Sequence, residues 1–311
     1  MNQRLLSYPV LIAAALLLGA SAGTNVAAQS RERGEIKTLS LGLVSEIHRK
    51  EIEEHFGDFV RYVTRKLSSG SEIEGKVVTA PTPFELAKLL EQRKVDFYME
   101  SAYPTYVINF VHGNGKLLLR RWKGGMADYY SVVFTNRNSG IKRLEDLKGK
   151  TIVFEDAGST SGYLLPKLLL LRRGLKLTEK RGVNANDQPT DTGYLFAYTQ
   201  EKLVDWVLTQ QVAAGAFSND DLGALDEKKK ADIAVLAQTE RLPRHLVSVR
   251  SDLAPALAGR LETILLSMHE DTEGRRILQK TDNTTKFDML PGGEAAMRRR
   301  LLNSFFSPDK K

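Results

Sequence analysis

At 311 residues the chain is long enough for two ordinary hydrophobic cores, and 42% hydrophobic with 27% charged residues excludes low-complexity disorder. A net charge of +7 over that length, with Arg298-Arg299-Arg300 as a tight basic run, is no nucleic-acid footprint and suits anionic ligands or an anionic surface. With no cysteine there is neither a disulfide framework nor a thiol to lipidate.

The first 28 residues read as a secretory leader. Arg4 precedes an apolar run over 9–18 that is too short to span a bilayer, and small residues end at Val26-Ala27-Ala28, with Ala22 a competing cleavage site. Cleavage after Ala28 predicts a freely diffusing periplasmic protein, not a lipoprotein.

Alternation predicts a first strand over 36–44, and apolar spacing through Ile52, Phe56, Phe59, Val60 and Val63 predicts a helix over 47–67. The loop between them, with Glu46, lies at the strand's carboxyl end, where open α/β sheets bind ligands. A strand over 76–80, a helix over 83–93 and a strand over 95–99 continue a βαβ order and imply a parallel sheet. Glu100, Ser101 and Tyr103 occupy the next strand end, before a helix opening at Pro104. The Gly-rich stretch 113–125 leads to Tyr129-Tyr130 and a strand over 132–135, where the chain is predicted to cross into a second domain.

Within that domain lies the stretch FEDAGSTSGYLLP, 154–166, around which the chain is organised. Thr151 to Phe154 favour a strand, Ser159 is a good N-cap, and Leu164, Leu165, Leu168 and Leu169 supply a helical stripe. The unpaired amides and positive dipole of that helix start, with the hydroxyls of Ser159, Thr160 and Ser161 and the small Gly162, make an oxyanion cradle. A plain helix cap is the simpler alternative. A nucleophile elbow centred on Thr160, with His245 or His269 downstream as base, is a third, though that motif carries Ser at its centre.

Beyond the cradle come a polar connection over 174–189, a strand over 193–197, a helix over 200–208 and a strand over 212–217. Strands over 233–238 and 246–249 are predicted to return to the first domain, followed by helices over 255–266, 272–279 and 293–305. The five histidines show no metal-binding spacing, and no metal or cofactor is expected.

Ser139-Gly140-Ile141, Leu144, the run Asp146-Leu147-Lys148-Gly149-Lys150, then Phe154, Asp156, Ser159-Thr160-Ser161-Gly162 and Pro166 resemble the phosphate/phosphite/phosphonate-binding proteins of ABC transporters. The likeness is detailed over 130–170. It implies an α/β, two-lobed type II periplasmic binding protein fold with two crossovers, here lobe 1 as 29–130 and 238–311 and lobe 2 as 131–237. It also implies that the Ser-Thr-Ser run holds phosphonate oxygens. In two places the chain departs from the family. Glu100-Ser101-Ala102-Tyr103 puts a carboxylate where apolar or glycine residues precede the aromatic; it would repel a phosphate dianion and could pair with a ligand amine. Tyr198-Thr199 stands where a Ser/Gly/His loop is usual, so Thr199 or Gln200 would replace an imidazole contact.

These readings combine in a non-enzymatic solute-binding protein for a small phosphorus oxyanion, with Ser159, Thr160, Ser161, Tyr103, Glu100, Ser101, Tyr130, Glu46 and Thr199 as expected ligand contacts. The membrane partner would be an ABC permease or a sensor kinase, and a hydrolase using Thr160 is the enzymatic alternative.

Overall fold

The computed structural model describes residues 36–45, 49–68, 72–183 and 191–306. The predicted leader and Glu46 lie outside the described residues. In chain order the elements begin with β1 (Thr38–Val44), α1 (Arg49–Leu67), β2 (Glu74–Ala80), α2 (Pro83–Glu91), β3 (Phe97–Glu100) and α3 (Ala102–Tyr106). A π-helical segment, Val107–Val111, extends α3, and β4 (Gly115–Lys123), β5 (Asp128–Tyr129) and β6 (Ser131–Asn136) follow. Next come β7 (Thr151–Phe154), a π-helical turn Thr160–Leu164, α4 (Leu165–Arg172), β8 (Leu177–Glu179), β9 (Thr192–Phe196), α5 (Gln200–Leu208) and β10 (Ala214–Ser218). The chain ends with α6 (Asn219–Ala224), α7 (Glu227–Asp232), β11 (Ile233–Gln238), β12 (Leu242–Pro243), β13 (His245–Arg250), α8 (Pro255–Ser267), α9 (Thr272–Lys280), β14 (Thr284–Met289) and α10 (Gly293–Phe306).

Two six-stranded sheets carry the fold, ordered β14-β4-β13-β3-β1-β2 and β11-β6-β10-β7-β9-β8. Both have helices on their faces. Leu39, Leu41 and Leu43 of β1 are buried, and α2 lies so close to β1 that a Cβ on Gly42 would meet Leu86 Cδ1 at 2.6 Å. On α1 the buried Phe56, Phe59, Val60, Val63 and Leu67 recur at helical spacing, each worth roughly 1.5–3 kcal/mol of burial. In the second sheet Leu169 and Leu170 of α4 cover one face, and Leu203, Val204 and Val207 of α5 cover the other.

Several sequence expectations change here. The first sheet is mixed: β1 runs parallel to β2 and β3, but β13 lies antiparallel to β3 and β4, and β14 antiparallel to β4. The Gly-rich stretch holds the nine-residue β4, whose glycines bracket a strand that places Leu117, Leu119 and Arg121 inward. Residues 233–238 do not return to the first sheet; β11 pairs antiparallel with β6, because α6 and α7 bring the chain back beside that strand. The polar connection contains the edge strand β8, parallel to β9.

The chain passes between the sheets at two adjacent places. There β5 and β12 form a two-stranded ribbon pairing Tyr129 with Leu242 and Asp128 with Pro243. Because β3, β7, β9 and β10 end at the same levels where β13 and β6 begin, carboxyl ends of parallel strands meet first residues of antiparallel ones. Helix α10 joins both halves: Met297, Leu301 and Phe305 pack with Leu165 and Leu246 in one cluster.

Candidate functional site

After β7 the Asp156 carboxylate accepts the Gly158 N–H at 2.7 Å and turns the chain. Ser159 then caps the π-helical turn, its Oγ accepting the Gly162 N–H at 2.9 Å and donating to Glu155 Oε2 at 2.7 Å. A Cβ on Gly162 would lie 2.6 Å from both Cβ and Oε2 of Glu155, so glycine there is what lets a carboxyl lie against the first turn. Insertions of this π type recur at functional sites, since they turn backbone groups out of the regular ladder.

The hydroxyls of the cradle link the two halves of the molecule. Thr160 Oγ1 donates to Ser101 Oγ at 2.9 Å and accepts the Tyr103 N–H at 2.8 Å, which ties the turn to the start of α3. Ser131 Oγ donates to the Ser161 carbonyl at 2.6 Å. The Tyr129 phenol lies against the Thr160 and Ser161 hydroxyls, its pKa pushed up to about 12 by burial. Thr160 is 1% and Ser161 6% exposed, so the run is a closed hydrogen-bonded floor and not a solvent-facing loop.

A cavity of about 220 Å³ opens above this floor. The second half supplies Glu155, Asp156, Gly158, Ser159, Thr160, Ser161, Ser218 and Asp221; β1, β3 and α3 supply Val44, Glu100, Ser101 and Pro104; β4, β5 and β13 with its approach supply Lys123, Tyr129, Arg244 and His245. Arg244 is 4% exposed, holds Asp220 at 2.7 and 2.5 Å and stacks 4.9 Å above the Tyr129 ring, yet its Nε has no hydrogen-bond partner. Lys123 pairs with Asp282 at 2.7 Å. His245 Nδ1 is likewise unpartnered, and burial together with Arg121, Arg244 and Lys123 holds its imidazole neutral, well below the usual pKa.

The carboxyls of the site respond in the opposite sense. Burial pushes Glu100 up to about 8; the Val44 N–H, donating at 2.6 Å, opposes that shift without cancelling it. Burial and the nearby Asp156 and Asp221 push Glu155 up to about 7, against the Ser159 hydroxyl and Lys123. Asp221 is itself used as a cap, receiving the Ser218 hydroxyl and the Ser218 N–H.

Of the expected contacts, Glu100, Ser101, Ser159, Thr160 and Ser161 border this cavity. Tyr103 instead contributes its main-chain N–H to Thr160, with its ring in the apolar cluster beneath. Tyr130 is turned away: its N–H bonds Asn219 at 2.9 Å and its ring lies 4.9 Å under the Arg241 guanidinium. Successive residues of an extended chain face opposite ways, so the neighbour Tyr129 is the one turned inward. Thr199 is exposed and caps α5 by accepting the Lys202 N–H, after Tyr198 turns the chain at φ 65°. Sequence reasoning missed Lys123 and Arg244, weighed His245 only as a base for the elbow and Tyr129 only beside Tyr130 at the crossover, and passed over Glu155 although it lies inside the motif. Thr160 gives its hydroxyl proton to Ser101, and no imidazole bonds it among the described residues, though His245 borders the same cavity. Among those residues no cluster suited to a metal ion is found, and no helix is long and apolar enough to cross a membrane.

Structures of XAC2383 from Xanthomonas citri, bound to chloride ion and bound to ATP, superpose with TM-scores of 0.79 and 0.78 at 28% identity, covering 86% of this chain and 96% of that one. PhnD1 from Prochlorococcus marinus, in complex with methylphosphonate, is similar in fold at TM-score 0.65 and 15% identity, over 86% of this chain and 97% of that one. A binding protein component of an ABC phosphonate transporter from Pseudomonas aeruginosa gives 0.63 and 16%, over 89% and 98%. The shared fold is the two-lobed type II periplasmic binding architecture that the resemblance implied. The family model of the periplasmic substrate-binding proteins of phosphonate ABC transporters matches residues 41–290, most of the chain, and the protein belongs to that family.

Proposed function

We propose that the protein captures a small phosphorus oxyanion, a phosphonate, phosphite or phosphate, in the periplasm and delivers it to an ABC permease. The observation that carries this is the pairing, across one cavity, of the Ser159–Ser161 helix start with Arg244, almost fully buried and with Nε lacking a partner. A buried guanidinium N–H without an acceptor is costly, and an anion oxygen supplies one. Size supports a small ligand: about 220 Å³ is below the roughly 300–1,000 Å³ of sites for drug-sized molecules. A nucleotide such as the ATP bound to XAC2383 would keep much of itself outside. Family membership favours a permease over a sensor kinase.

In this reading lobe 1, 29–130 with 238–311, and lobe 2, 131–237, close on the anion about the β5–β12 ribbon. Calorimetric titration with methylphosphonate, phosphite and phosphate tests it, with small-angle scattering on the same samples. Saturable binding of at least one, with a smaller radius of gyration, is expected. Absence of binding by all three overturns it.

A further inference from the structure

A second cavity, of about 240 Å³, adjoins the first and is bordered by α1, β1, β3, β4 and β13. Val44, Glu100 and His245 border both, so the two spaces meet at these side chains. Leu43, Ile52, Phe56 and Met99 make the walls of the second largely apolar. A bare tetrahedral oxyanion gains nothing from such walls, whereas a carbon chain attached to it does.

The polar group of this second cavity is Arg121, which is 1% exposed. Its Nε donates to Thr284 Oγ1 at 2.7 Å, and its Nη2 is shared among the Thr281 carbonyl, the Asp282 carbonyl and the Asp282 carboxylate at 3.2, 3.2 and 3.1 Å. The guanidinium carbon lies 5.7 Å from the centre of the Phe56 ring. Nη1 donates to no group among the described residues. A buried guanidinium N–H without an acceptor is costly, and a carboxylate is the acceptor whose geometry matches it.

The acidic side chains nearby do not fill that place. Asp282 is already engaged by Arg121 and Lys123, and Glu51 is exposed in the first turn of α1. Glu100 takes the Val44 N–H, and burial pushes it up to about 8, so it is largely uncharged near neutrality. Arg121, Arg244 and Lys123 together hold the His245 imidazole neutral, which marks the junction of the cavities as electropositive. The sequence suggested a ligand amine beside Glu100; the guanidinium behind it favours the opposite charge.

We propose that the second cavity takes the organic tail of the ligand and that Arg121 receives a carboxylate at the end of that tail, so that the substrate class is a phosphonate with a short carboxyl-terminated chain. This rests on the oxyanion reading above and adds the substituent that the Ser159–Ser161 floor leaves open. The floor holds the head group, the chain passes Glu100 between Val44 and His245, and the four apolar side chains cover its methylene groups.

The test is calorimetry near pH 7 with methylphosphonate, propylphosphonate, 2-aminoethylphosphonate and 3-phosphonopropionate. Wild type is expected to bind 3-phosphonopropionate at least about tenfold more tightly than each of the other three. A smaller preference overturns the proposal, as does tighter binding of 2-aminoethylphosphonate. Two variants locate the effect: Arg121→Met removes the acceptor's partner, and Ile52→Trp fills the cavity from α1 without touching the guanidinium network. Each should bring 3-phosphonopropionate and propylphosphonate within about threefold of each other. A folded form of either variant that keeps the preference overturns the proposal, and the wild-type series decides it even if Arg121→Met does not fold. Binding of methylphosphonate without preference for the carboxylate leaves the oxyanion reading standing and removes this proposal alone; binding of none of the four removes both.

Discussion

The two walls of the cavity are built in different ways. The floor, residues 155–162, is one continuous piece of chain whose main-chain amides, hydroxyls and glycine act within a few residues of one another. The opposite wall is collected from β1, β3, β4, β5 and β13, five pieces distant in sequence, and it carries most of the charge chemistry, including Glu100, Lys123, Arg244 and His245. Local hydrogen bonds can hold a floor, but only a folded sheet can hold a buried guanidinium next to a neutral imidazole. The floor should therefore respond to mutation through affinity, and the assembled wall through stability as well.

Arg244→Met should give the largest effect. It leaves Asp220, only 20% exposed, without its bidentate partner and strips the ring face of Tyr129. Breaking a buried pair from one side costs about 3–5 kcal/mol, and the partial exposure of Asp220 points to the lower end. Urea denaturation measures it; a loss under about 1 kcal/mol would remove the distinction between the walls.

Replacing Thr160 and Ser161 together by alanine should sharpen the contrast from the other side. In the proposed complex Thr160 turns its proton from Ser101 to the anion and Ser161 adds a second donor, each worth roughly 1.5–3 kcal/mol, so phosphonate affinity should drop at least about tenfold in calorimetry. Loss of the Thr160 links to Ser101 and Tyr103 also loosens the contact between the halves. Ser159 is kept because it caps the turn. Affinity equal to the parent's would mean that these hydroxyls serve the contact between the sheets and not a ligand.

The smallest expected effect is in pH. Glu100, at 4.5 when unfolded and about 8 when folded, binds its proton more tightly in the folded state. Its contribution is fully present below the unfolded value and is lost as pH rises toward the folded one, and Glu155, raised to about 7, adds in the same direction. Thermal melts of the ligand-free protein should show stability falling between about pH 5 and 8, and Glu100→Gln should flatten part of that slope. A stability that rises over this range would mean that Glu100 is solvated and ionised throughout.

The differences from the sequence reading have separate causes. Thr199 sits where the resemblance implied a ligand contact, but the positive φ of Tyr198 commits its hydroxyl to the Lys202 amide, a local decision that propensity alone does not expose. Tyr130 and Tyr129 differ by one residue, and which of them faces inward depends on the β5–β12 pairing. The edge strand β8 and the closing strand β14 are short or polar, and each is stabilised by its neighbour more than by its own composition.

What the sequence determined by itself is whatever is settled by contacts within about one turn of chain: the amphipathic face of α1, the strand-to-helix order around β7, the Ser159 cap and the hydroxyl run behind it. Those features follow from 3.6-residue and two-residue periodicity and from side-chain hydrogen bonds to nearby amides. Only the tertiary structure decided that β13 inserts antiparallel between β3 and β4, and with that choice Arg244, His245 and Lys123 arrive at the end of the strand carrying Glu100. Strand order is set by which apolar faces can be covered together across the whole sheet. No short stretch of residues carries that information, and the charges of the assembled wall go where the sheet takes them.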